Sequence, residues 1–144
     1  MGKTSYDADF YGWANEQAEL LRAGRLDEAD IANIAEEIES MGRSEKRELV
    51  SRLAVLLTHL LKWRYQPAGR GSSWHASIVV QRRRLADHLE DNPSLKPLIP
   101  KAVANAYEDA RVVAGDETKL GDAAFPPTSP WSFDEVMNPA YWPD

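Results

Sequence analysis

The chain has 144 residues, a size for one domain whose core needs no covalent staples. It contains no cysteine, which excludes disulfides, thiolate metal sites and cysteine nucleophiles. Its formal charge of −6 argues against general attraction of the whole surface to phosphate backbones. The opening Met1-Gly2-Lys3-Thr4-Ser5-Tyr6-Asp7 has no apolar core, so no signal peptide is expected. The longest apolar stretch, Leu53 to Leu61, is interrupted by Thr58 and His59 and falls far short of the roughly 20 residues of a bilayer span. A soluble cytoplasmic protein with no membrane partner is the expectation.

Helical periodicity runs along the chain. A first helix is predicted over about 7–23, with Phe10, Trp13, Ala14, Gln17, Leu20 and Leu21 at three- and four-residue steps. Ser5 or Asp7 is its expected cap and Gly24 its end. A second is predicted over about 27–41, capped by Asp27, striped by Ile31, Ile34, Ala35, Ile38 and Met41, and stopped by Gly42. The third, about 44–65, carries the wide seam Leu49, Leu53, Leu56, Leu60 and Trp63. After the loop 66–71, Ser72 or Ser73 should cap a fourth helix reaching about Glu90, with Trp74, Ile78, Leu85 and Leu89 inward. Pro100 suits the first position of a fifth, about 100–114, whose alanines allow close helix approach. Residues 120–144 turn rich in proline and aromatics. They hold too many large rings for a free tail, so they should form an irregular strap, with one short turn of helix capped by Ser132. No alternating strand pattern appears. The expected fold is all-α: a single domain over 1–144, a compact bundle of about five helices closed by the strap.

These residues, in order, carry a resemblance. Tyr6-Asp7, Asp9-Phe10-Tyr11 and Trp13 open it, followed by Ala35 to Ser44 and His59-Leu60-Leu61-Lys62-Trp63. Pro67, Ser73-Trp74, Gln81-Arg82, Asn92-Pro93-Ser94-Leu95 and Ala106-Tyr107 complete it. Together they resemble the bacterial and cyanobacterial family of domains of unknown function numbered twenty-nine. The resemblance implies single-domain helical architecture and a bacterial, cytoplasmic setting, and transfers no chemistry. Where members often place Cys-Pro, this chain has Ser129-Pro130.

Polar side chains on the inward stripes are the candidates for function. Gln17 falls at the centre of the first apolar arc and Gln81 between Trp74, Ile78 and Leu85, with His88 beyond it on the same flank. His59 lies four residues before Trp63. An inward polar group costs roughly 1–3 kcal/mol without a partner, so each should have one. Glu37 and Glu39 are natural acceptors, with Glu39 the first choice for Gln17. Gln17, Glu39, His59, Trp63, Trp74 and Gln81 thus outline a candidate ligand pocket; the competing reading is a hydrogen-bond network that sets helix register.

Other chemistries find less support. No histidine has a glutamate three residues before it, there is no His-x-x-x-His pair, and acidic clusters are usually solvated faces. No metal site, catalytic residue or cofactor is therefore assigned. Gly2-Lys3-Thr4 mimics the end of a phosphate loop without its glycine-rich run. Gly69 to Ser73 could hold an anion on its amides but reads better as a link and cap. Charge is segregated: residues 1–42 carry three basic and ten acidic groups, and residues 43–90 ten basic and four acidic. Lys62, Arg64, Arg70 and Arg82 to Arg84 interleave with Trp63 and Tyr65, a pattern suited to nucleic acid, although three successive arginines on a helix cannot share one face. The expected role is a noncatalytic binding or adaptor module, acting on a protein partner or by self-association. The alternatives are a small-ligand binder or enzyme using the polar pocket, and nucleic-acid binding through 62–84. Enzyme and nucleic-acid readings are both disfavoured.

Overall fold

A computed structural model describes residues 5–144; the Gly2-Lys3-Thr4 motif lies outside them. The protein is all-α, with five α-helices and no strand among the described residues. The chain divides into two compact units, one ending at Ser44 and the other Glu45–Asp144.

In the first unit, α1 spans Phe10–Arg22. Its cap is Asp9, whose carboxylate accepts from the Gly12 N–H at 3.0 Å, and not Ser5 or Asp7. Ser5 closes the preceding turn instead, accepting from the Ala8 N–H. Gly24 ends the helix as its spacing requires. Its φ of 72° lets its own N–H reach the Leu21 carbonyl and the Arg25 N–H reach Leu20. The chain then makes a 3-10 turn, Leu26–Glu28, which absorbs Asp27. Asp30 takes over the expected cap, its carboxylate facing the Asn33 N–H and holding the Asn33 amide at 2.8 Å. The Asp30 N–H is itself held by the Gln17 side chain, so helical geometry begins after it.

Helix α2 runs Ile31–Tyr65, where two helices separated by Gly42 were expected. A mid-helix glycine costs only about 1 kcal/mol relative to alanine. Gly42 has no positive φ and is flanked by strong helix formers, while Arg43 pairs back to Glu36 and Glu39 across it. Without an αL residue, no stop signal exists there.

In the second unit, Leu49, Leu53, Leu56, Leu57, Leu60 and Leu61 of α2 are fully buried. They pack in one core with Ile78 and Leu85 of α3 (Ser72–Asp91) and the alanines of α4 (Ile99–Thr118). The cap of α3 is Gly71, in extended backbone; Ser72 and Ser73 already lie inside the helix and make no side-chain cap. Helix α4 outruns its expected end at 114 and stops where Lys119 turns left-handed (φ 63°). Ala102, Ala106, Ala110 and Ala114 form a buried row, continued by Gly115. A Cβ on Gly115 would lie 2.6 Å from the Asp122 backbone nitrogen, so the returning chain demands glycine there.

The strap is packed, as its aromatics require. Phe125 and Trp131 are buried, and Phe125 meets the Tyr65 ring edge-on. Ser132 and Glu135 form a reciprocal capping box at the start of α5, Phe133–Met137. No described helix is long and apolar enough to cross a membrane.

Candidate functional site

The six sequence-derived residues do not share one description. Gln17 and Glu39 belong to the first unit; His59, Trp63, Trp74 and Gln81 belong to the second. Gln17 is buried as expected, and its Oε1 accepts from the Asp30 N–H at 2.6 Å. Glu39 is not its partner. It sits about 100° around α2 from the Ile34–Ile38 face, is exposed, and pairs with Arg43. His59 turns its Nδ1 back to the Val55 carbonyl at 2.8 Å, within its own helix. Gln81 accepts from Arg52 at 3.5 Å.

Trp63 and Trp74 are packing residues of the second unit. Trp63 meets Trp142 at 4.7 Å, and His75 stacks on Trp142 at 4.8 Å. Trp74 lies over Gly69, where a Cβ would clash with its ring, and beneath the Lys62 ammonium at 5.2 Å.

The basic block is largely engaged within its own unit. Lys62 is buried and pairs with Glu117 at 3.0 Å. Arg70 donates to the Trp63 and Pro143 carbonyls, and Arg64 to that of Asp144. Arg82 is 4% exposed; its Nε donates to the Val136 carbonyl at 2.7 Å, and its guanidinium covers Trp142. Desolvation by that burial lowers the Arg82 pKa from its ordinary value. A phosphate backbone would have to compete with these partners.

Two arrangements stand out that the sequence did not single out. The first is an open groove of about 330 Å³ in the first unit, between α1 and the start of α2. Phe10, Ala14, Leu21, Ile34, Ile38 and Met41 line it, with Glu37 at its edge. Ile38 and Met41 are 59% and 61% exposed, large values for residues on an apolar stripe. Trp13 is buried beside it and donates its indole N–H to Asp30. The Tyr6 hydroxyl donates to the Glu37 carboxylate; that bond, above all, pushes the Tyr6 pKa up to about 12. The stripe was legible, but whether anything covered it was not.

The second arrangement joins Glu45 and Glu48 of α2 to His88 of α3. His88 is buried, and its Nε2 meets the Glu45 backbone carbonyl at 2.9 Å. Its Nδ1 faces Glu48 Oε2 at 3.1 Å and Glu45 Oε2 at 3.6 Å. Arg52 also reaches Glu48 Oε2, at 3.2 Å. The inward placement of His88 was visible in sequence; its partners, forty or more positions away, were not.

Further cavities in the second unit are lined by Val79, Arg82, Ala86 and Met137, and by Pro100, Val103, Tyr107 and Pro127. Of the six candidate residues, Gln17 alone lines any of these three cavities. A family model described as "Domain of unknown function DUF29" matches residues 5–142. No curated protein and no solved structure matches the chain.

Proposed function

The chain belongs to the DUF29 family, and from that premise we propose that it is a noncatalytic docking module of the bacterial cytoplasm. The setting in this proposal rests on the family resemblance. The observation that carries the docking role is the open apolar groove of the first unit, lined by the exposed Ile38 and Met41. Two helices side by side leave a furrow into which a third can pack at about 8–10 Å between axes. Helix-in-groove recognition uses such anchors at three- and four-residue steps.

The occupant we commit to is an amphipathic helix of a partner protein with lysine or arginine flanking its apolar stripe. Charge selects it. Residues 1–42 hold ten acidic groups against three basic, and Glu37 stands at the groove itself. A second copy of the same hairpin would bring like charge against like charge, and an anionic lipid surface would be repelled.

A labelled synthetic helix with leucines at helical spacing and lysines elsewhere tests this, beside its glutamate counterpart and a scrambled lysine peptide. Fluorescence anisotropy should show the patterned lysine helix binding most tightly. Ile38→Asp, at an exposed position, should weaken it at least tenfold, about 1.4 kcal/mol. Equal binding by the scrambled peptide, or no effect of Ile38→Asp, would overturn the reading. A dimer that Ile38→Asp dissolves would assign the groove to a second copy instead.

A further inference from the structure

We propose that Glu45, Glu48 and His88 form a binding site for a divalent first-row transition-metal ion, such as Zn2+ or Co2+, within the second unit. The site is independent of the docking groove. The Glu45 carbonyl can only accept, so the His88 Nε2 that meets it at 2.9 Å carries the ring hydrogen. In the neutral ring, Nδ1 is then a bare lone pair. It points at Glu48 Oε2 (3.1 Å) and Glu45 Oε2 (3.6 Å), which are acceptors as well. Three acceptors converge with no donor of their own among them; the imidazole is only 6% exposed, and Arg52 reaches Glu48 Oε2 from the side. A cation between them resolves the conflict.

The spacing suits a metal ion. With ligand bonds of about 2.1 Å, neighbouring ligand atoms stand about 3.0 Å apart in an octahedron and about 3.4 Å in a tetrahedron. The two imidazole–carboxylate distances, 3.1 and 3.6 Å, each lie within about 0.2 Å of one of these values. The three ligand atoms lie within 4.8 Å of one another, and closing the set falls to the glutamates, whose side chains are exposed. A backbone carbonyl holding the far N–H of a histidine is also the usual device for aiming its other nitrogen at a metal. The donor set of one nitrogen and two oxygens favours first-row ions over Ca2+ or Mg2+, which prefer oxygen alone. Arg52 holds Glu48 in place from the side and occupies part of the same oxygen, so binding should be moderate. Water completes the shell on the exposed side.

The test uses the full, untagged chain stripped with a chelator and titrated with Co2+, then competed with Zn2+. One equivalent of Co2+ should give visible d–d bands that Zn2+ removes. Glu45→Gln and Glu48→Gln keep side-chain shape and should each weaken binding at least tenfold. His59→Gln and His75→Gln should leave it unchanged. Nitrogen-15 spectra should show His88 with its hydrogen on Nε2 and Nδ1 shifted by Zn2+. Because His88 variants could unfold, the glutamine variants carry the decision, with circular dichroism as the folding control. Absence of Co2+ bands, stoichiometric binding that survives the double glutamine variant, or a doubly protonated His88 ring indifferent to Zn2+ would each overturn the proposal. In the last case a proton fills the place assigned to the metal.

Discussion

Replacing Arg82 with methionine probes how the end of the chain is held. The side chain keeps its length and loses its donors. In the native fold, Nε donates to the Val136 carbonyl at 2.7 Å and an Nη to that of Glu135 at 3.4 Å. Both carbonyls belong to the last turn of α5, where a positive charge is also favoured. A hydrogen bond from a charged donor is worth about 1.5–3 kcal/mol, and the longer one less. The guanidinium over Trp142, 5.5 Å from its centre, adds about 1 kcal/mol. Against this stand the desolvation of a buried cation and a buried Nη1 with no partner. The balance predicts that Arg82→Met destabilises by about 2–3 kcal/mol, a fall in Tm of roughly 5–10 °C. Thermal unfolding by circular dichroism measures it, and the emission of Trp142 should shift to the red as its cover is lost. An unchanged or higher Tm would refute the reasoning, for it would mean that desolvation cancels everything the arginine gains.

Gln17→Leu removes the acceptor of the Asp30 N–H and should destabilise the chain by about 1–3 kcal/mol in denaturant titration, since a backbone donor is left unpaired. Unchanged stability would show that water replaces the amide. Burial pushes the Tyr107 hydroxyl from its ordinary 10.0 up to about 12, while the hydroxyl donates to the Pro126 carbonyl at 2.7 Å. The neutral phenol is the form the fold stabilises. Its contribution is therefore complete below pH 10 and lost as the pH rises through 12. Tyr107→Phe should flatten that alkaline loss of stability, followed by unfolding at graded pH; an unaltered profile would exclude Tyr107 as its source.

Helix existence was legible because each stripe repeats over several turns, and the end of α1 was legible because Gly24 supplies the φ that a C-cap needs. Gly42 misled for the same reason, because a glycine signals a stop only if the chain takes the left-handed turn. That choice depends on pairs such as Glu36–Arg43, which no single position announces. The burial of Gln17 followed from its place on the wheel. Its partner did not, because a backbone N–H has no residue type to recognise. The Glu45–Glu48–His88 set was hidden because its organising contact is likewise a backbone carbonyl, and no spacing rule contains it. The open groove escaped because an apolar stripe looks the same covered or bare.

Arg70 and Arg82 grip the last part of the chain by its carbonyls, at Pro143 and at Glu135 and Val136. A carbonyl is common to every amino acid. The tether is therefore indifferent to what the strap spells at its outward positions, such as Asp134 and Ala140, provided the backbone follows the same path. Tolerance to change should be lopsided across this contact. The arginines have no substitute with the same fork of donors, whereas the outward side chains they pass beneath can drift. Sequence divergence at the end of such a chain can then proceed without loosening its attachment.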